Sequence, residues 1–222
     1  MTPTLPFQHI DKIEILRALP RVFRDTRPES EIWLTDLALS RPDYYMVEAE
    51  SGTGKSSLCA YLYGSRTDYL GSILFNGTDA SSLSLMQWQE IRRRHIAYLP
   101  QELDLFPELS ALENIRIKND LTGYADEAQI HSWLERIGLG DRKDFPVGKM
   151  SIGQQQRVAI IRSICQPFDF ILLDEPVSHL DFRNNHIAAE IIEAEAQRNG
   201  ASIIATSVGN KLSLSSSKLL KL

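Results

Sequence analysis

The chain has 222 residues, 43% of them hydrophobic and 24% charged, with a formal net charge of −5. That profile fits one α/β domain with a substantial core and excludes disordered and fibrous classes. The acidic balance excludes a dedicated nucleic-acid binder, which would carry a basic face or stripe, so no nucleic-acid partner is expected.

In chain order, Pro3 and Pro6 open a segment without the basic-then-apolar pattern of a signal peptide. Residues 13–16, 21–23 and 32–39 are β-prone and are broken by Pro20 and Pro28, while residues 73–75 run into an Asn76-Gly77 turn. Together they predict an antiparallel edge sheet near the N-terminus. Tyr45-Met46-Val47, Ile96-Ala97-Tyr98-Leu99, Phe170-Ile171-Leu172-Leu173 and Ile203-Ile204-Ala205 are apolar runs without alternation. Such runs predict strands buried on both faces, as in a parallel sheet covered by helices. Ile130, Trp133, Leu134 and Ile137 repeat at helical spacing, and Ile187, Ile191 and Ile192 do so before Gly200. Arg92, Arg93 and Arg94 are read as a solvated helix face. Cys59 and Cys165 lie in apolar, helix-like surroundings that predict buried, reduced thiols of a cytosolic protein. No apolar run approaches the ~18 residues of a membrane span.

The chemistry is concentrated in two stretches. "EAESGTGKSSL", residues 48–58, follows one predicted strand and precedes a helix whose apolar face is Leu58, Tyr61 and Leu62. Strand, glycine loop, Lys-Ser and helix are the parts of a phosphate-binding loop. Backbone N–H groups of Ser51, Gly52, Thr53, Gly54 and Ser57 wrap a polyphosphate, Lys55 reaches its terminal phosphates, and the Ser56 hydroxyl ligates Mg2+. Ala49 stands at the first glycine position of the motif and is tolerable at negative φ. "FDFILLDEP", residues 168–176, ends a buried strand in Asp174-Glu175 at the sheet edge where α/β proteins bind ligands. Asp174 is the candidate metal carboxylate and Glu175 the candidate base that polarises water.

Taken with "IAYLPQ", "MSIGQQQRVAI" and "SHLD", these stretches resemble the ATP-binding cassette (ABC) ATPases over nearly the whole chain. The five motifs arrive in the family's order. Within the family the chain looks most like the short cassettes of the lipoprotein-release, cell-division and macrolide-export group. The resemblance implies a P-loop NTPase fold with a mainly parallel core sheet, an N-terminal antiparallel β subdomain and an inserted helical signature subdomain. Residues 1–101 and 166–222 would form the RecA-like core with its β subdomain, and 102–165 the helical part, all within one domain. It implies ATP and Mg2+ as cofactors and a head-to-tail pair of cassettes, expected to be identical. Ser151, Gly153 and Gln154 of the signature would meet the partner cassette's γ-phosphate. Gln101 would sense the metal and the attacking water, residues 102–109 would face a transport partner, and Asp181 would couple the two sites. Phe23 is the candidate for stacking on adenine. Permease subunits on separate chains would hold the cassette at the cytoplasmic face of the membrane.

Two departures from the family pattern bear on mechanism. Ile152 replaces a glycine of the signature, and a stiff β-branched side chain there predicts weaker closure. Ser207 stands where the family has a histidine that contacts the γ-phosphate. Loss of one preorganised contact to developing charge costs on the order of 10²- to 10³-fold in rate, which predicts slow hydrolysis. The other class of function open to such a site is a nucleotide-gated regulatory module with negligible turnover; Glu175 argues against it. His179 and His186 are read as local surface or helix packing, and the first turn of the signature helix, with Gln154, Gln155 and Gln156, as exposed.

Overall fold

A computed structural model describes residues 5–26 and 28–222; Pro3 lies outside them. Strand β1 spans Lys12–Pro20, β2 Asp36–Ser40 and β3 Tyr44–Glu48, and helix α1 spans Lys55–Leu62. Next come β4 (Tyr69–Phe75), β5 (Thr78–Asp79), α2 (Leu85–Arg94) and β6 (Ile96–Leu99). Three helices follow, α3 (Ala111–Asn119), α4 (Glu127–Arg136) and α5 (Ile152–Ser163). The chain then returns to β7 (Phe170–Asp174), α6 (Phe182–Asn199), β8 (Ser202–Ser207) and β9 (Lys218–Lys221).

Two sheets result. An antiparallel sheet has the order β2-β1-β4-β5, and a five-stranded sheet has the order β6-β7-β8-β3-β9, parallel at every pairing. Both types match the apolar patterning. The difference lies in residues 21–23, read as strand, which form a single 3₁₀ turn. Pro20 ends β1 and presets the backbone for that turn. Of residues 32–39, only those from Asp36 onward are in a strand; Ile32 and Trp33 are buried in the turn before it. β9, four residues with a lysine at each end, was not foreseen.

Burial on both faces of the parallel sheet explains its unbroken apolar runs. Ile171 and Leu173 of β7 join Ile203 and Ala205 of β8 in a core with α3, α4, α5 and α6. Phe170 and Leu172 turn the other way, to a second core with α1, Trp88 and Ile91 of α2, and the antiparallel sheet. Cys59 and Cys165 are free and buried. The arginine run is less solvated than expected: Arg92 donates from Nε to the Tyr63 carbonyl at 3.0 Å and lies over the Tyr63 and Trp88 rings. It therefore anchors α2 to the end of α1, while Arg93 and Arg94 pair with Glu90.

Candidate functional site

Parallel pairing brings every carboxyl end of the central strands to one edge. The register sets Glu48 beside Ser207, Asp174 beside Thr206, and Leu99 beside Leu173. The loop after β3, the Asp174-Glu175 pair after β7, Ser207 and the segment after β6 must all open on that edge, where α/β sheets bind ligands.

The loop 48–54 is shaped by two glycines at positive φ, Gly52 (84°) and Gly54 (102°). Ala49 is at negative φ, as alanine requires. At Gly54 a side chain would also crowd Phe23, whose Cε2 lies 3.0 Å from the Cβ position, and the Trp33 ring. Trp33 further fixes the loop by donating from Nε1 to the Thr53 carbonyl at 3.1 Å. Gly54 is the N-cap of α1 and carries no side-chain cap, so the first turn of that helix presents its N–H groups to the loop's interior.

Into this cradle the structure brings most of the predicted residues. Lys55 is 5% exposed; its Nζ donates to the Glu50 carbonyl at 2.9 Å and lies 3.7 Å from Glu175 Oε1. Ser56 Oγ donates to Gln101 Oε1 at 3.4 Å. A cleft of about 320 Å³ is lined by Phe23, Ser51, Lys55, Ser56, Gln101 and Glu175, among others. Asp174 sits behind it, 2% exposed, accepting from Thr206 Oγ1 at 2.8 Å. Thr206 Oγ1 in turn accepts from the Glu175 N–H at 3.1 Å.

Glu175 has φ of 50°, a left-handed conformation that costs a non-glycine residue about 1–3 kcal/mol. The neighbours impose it. Thr206 holds its N–H, and Gln156 Nε2 donates to its carbonyl at 3.1 Å. Leu103 (62°) and Asp104 (48°), just after Gln101, are also left-handed, and the Arg162 guanidinium donates to both of their carbonyls.

The signature and Asp181 are not in this cleft. Ser151 caps α5 with a reciprocal box: the Gln154 N–H donates to Ser151 Oγ at 3.3 Å and the Ser151 N–H to Gln154 Oε1 at 3.0 Å. Gly153 is needed for packing, because a Cβ there would meet the His179 carbonyl oxygen at 2.8 Å. Ile152 is 49% exposed and points away from the chain's own core. Asp181 caps α6, accepting from the Asn184 N–H at 2.8 Å, a bond that holds its carboxyl below the ordinary carboxylate range. Ser207 is 2% exposed, and its Oγ accepts from the Gly209 N–H at 3.0 Å.

One expectation is corrected and three residues were missed. Gln156 is buried at 2% exposure, unlike an exposed first turn, because its amide closes a gap between α5 and the loop after β7. It accepts from the His179 N–H at 2.9 Å while donating to Glu175 and to Ser178 Oγ. Sequence reasoning also passed over Trp33, Thr206 and Ser178. Only Thr206 carried a signal, a polar residue closing an otherwise apolar buried strand.

A parallel sheet that gathers a glycine-rich loop, a Lys-Ser helix start and an Asp-Glu strand end on one edge is a P-loop NTPase. The added antiparallel sheet, the helices between β6 and β7 and the serine-capped signature helix make it an ATP-binding cassette. The chain belongs to the ABC transporter family, whose model matches residues 36–178, more than half of its length. It is an ATP-binding cassette with the ATPase machinery of that family.

Among relatives, it is 28% identical to the lipoprotein-releasing system ATP-binding protein LolD of Shewanella denitrificans, covering 85% of this chain and 83% of that one. It is 34% identical to the macrolide export ATP-binding/permease protein MacB of Rhodopseudomonas palustris, over 76% of this chain but only 26% of that relative's length. The fold superimposes on a dimeric bacterial ABC transporter cassette, MJ0796, with a TM-score of 0.73, 20% identity and coverage of 88% and 87% of the two chains. No helix among the described residues is long and apolar enough to cross a membrane.

Proposed function

We propose that this chain is the ATP-hydrolysing subunit of a membrane transporter, working as a head-to-tail pair of identical cassettes that drives permease subunits on separate chains. The observation that carries the reading is the contact set Lys55–Glu175 and Ser56–Gln101 at the uncapped start of α1. The loop N–H groups and Lys55 bind the phosphates, Phe23 covers the adenine, and Glu175 takes a proton from the attacking water. Ser56, Gln101 and Asp174 supply oxygens for Mg2+. Among the described residues no cluster of three or more His, Cys, Asp or Glu side chains gathers. Ser56 Oγ and Gln101 Oε1, 3.4 Å apart at the start of α1, are oxygens of the kind a hard cation takes, with phosphates and water completing its shell. When bound, the ion neutralises charge on the phosphates.

In the pair, Ser151 Oγ, whose lone pair holds the Gln154 N–H, keeps its proton for the partner's γ-phosphate, and Asp181 lies beside the same interface. The helical part, 102–165, moves as a unit against the RecA-like remainder. A cleft of about 490 Å³ between them, lined by Tyr98, Asp104, Ile117, Lys118, Leu121 and Arg162, receives the permease at the cytoplasmic face of the membrane. Burial, then the neighbouring Arg162, push the Lys118 amine down to about 8, which favours an acidic side chain on that partner.

A specific observation favours the second reading, a nucleotide-gated module with negligible turnover: the Ser207 hydroxyl is turned toward Gly209. ATP turnover of the purified chain against Glu175→Gln decides. Loss of about 10²-fold or more in the variant is expected for a general base, and equal rates would sink the enzyme reading in favour of the module.

A further inference from the structure

Glu175 borders two cavities. One is the cleft with Lys55; the other, of about 190 Å³, is lined by Glu175, Ser178, Ser207, Val208 and Asn210. Ser207, at the end of β8, lines the second, and its Oγ accepts from the Gly209 N–H of its own loop. Across the same cavity stands Ser178.

The Ser178 hydroxyl is unusually well held. Gln156 Nε2 donates to its Oγ at 3.2 Å, and His179 Nδ1 lies 3.0 Å from it. The turn carrying both residues is pinned on three sides. Gln156 Oε1 accepts from the His179 N–H, Asn210 Nδ2 donates to the Val177 carbonyl at 2.8 Å, and Gly153 makes room for the His179 carbonyl. The imidazole itself is exposed. With Gln156 occupying one lone pair of Ser178 Oγ, the tautomer of His179 settles what the cavity meets. An accepting Nδ1 takes the hydroxyl proton and leaves a lone pair for the cavity; a donating Nδ1 fills that lone pair and turns the proton inward.

We propose that Ser178 and His179 form a hydroxyl–imidazole arm of the hydrolytic site, in which Ser178 contacts the attacking water and His179 positions that hydroxyl. The arm adds a second hydroxyl to a cavity that Ser207 also lines. It rests on Glu175 being the base of an ATPase, as proposed above. His179 is a positioning residue, and Gln156 links the arm rigidly to the signature helix.

The test is steady-state ATP turnover, with kcat and KM separated, for the full chain carrying His179→Ala, His179→Asn or Ser178→Ala. His179→Ala and Ser178→Ala are each expected to lower kcat about tenfold or more while KM moves less than about twofold, as for a group acting only in the transition state. His179→Asn, whose amide can reach the Nδ1 position, should keep kcat within about threefold of the parent chain. Ser207→His should restore turnover in the His179→Ala chain and gain far less in the parent, because both histidines would serve one cavity. Unchanged kcat in both alanine variants would overturn the proposal. So would a His179→Ala loss that neither asparagine nor Ser207→His recovers. If Glu175→Gln leaves turnover intact, the base assignment falls with it; if Glu175→Gln abolishes turnover and His179→Ala is neutral, only the arm falls.

Discussion

Helices α1 and α5 both begin at functional motifs, yet their first turns are built in opposite ways. The N-cap of α1 is Gly54, left-handed and without a side-chain cap, so no capping side chain among the described residues competes for the N–H groups of its first turn. The N-cap of α5 is Ser151, closed by a complete capping box with Gln154. A helix N-terminus attracts anions through its free N–H groups and its dipole. The first is therefore an anion site complete within one chain. The second closes the N–H groups of Ser151 and Gln154 in its box and keeps the remaining first-turn N–H groups, a hydroxyl proton, the dipole and the exposed Ile152 for what lies outside. In the proposed pair it would act on a ligand brought by the partner cassette, and Gly153 and Gln156 give it rigid support through the loop after β7.

The comparison can be broken at three points. Lys55→Ala strikes the α1 side, removing the cation that lines the cleft. ATP affinity should fall about 10²-fold, equivalent to charge-assisted contacts of about 2–3 kcal/mol, and calorimetric titration would measure it. An unchanged affinity would refute the phosphate cradle. On the α5 side the larger effect belongs to Gly153→Ala. A Cβ at 2.8 Å from the His179 carbonyl forces the helix and the 177–180 turn apart, at a cost of about 1–3 kcal/mol in denaturant unfolding. Turnover should fall further than stability explains, since the turn also carries Ser178. Ser151→Ala is the mildest in stability, about 1 kcal/mol for the lost cap. Nucleotide affinity of the single chain should stay at the parent value while ATP-dependent dimerisation, followed by analytical ultracentrifugation, weakens. A loss of monomer affinity would show that the two helix starts are not divided as described.

The α1 side was largely legible before folding. A glycine loop between an apolar strand and a Lys-Ser helix start has a local chemistry that gives Lys55 and Ser56, and a buried strand ending in two acids gives Asp174 and Glu175, neither needing knowledge of distant neighbours. The four central strands were legible for a similar reason, since burial on both faces leaves an unbroken apolar run. Residues 21–23 were misread because Val22 and Phe23 are β-prone, whereas Pro20 and the end of the sheet dictate a turn. Gln156 was placed on the exposed side because a run of three glutamines reads as solvated. Its burial depends on a carbonyl, a hydroxyl and an N–H from residues 175–179, which no spacing in the chain announces.

What the sequence determined by itself is the nucleotide cradle, the parallel core and the order of motifs, because each is written in contiguous residues whose backbone and burial demands are local. What only the tertiary structure decided is how the hydrolytic edge is completed. Thr206 buttresses both acidic residues, Ser207 turns to its own loop, and Ser178, with His179 Nδ1 3.0 Å from its hydroxyl, lines the cavity beside Glu175. The Thr206 bonds join residues 31 and 32 apart through strand register, the buried Gln156 amide ties α5 to the turn that carries Ser178 and His179, and this geometry exists only once β7, β8 and α5 are packed together.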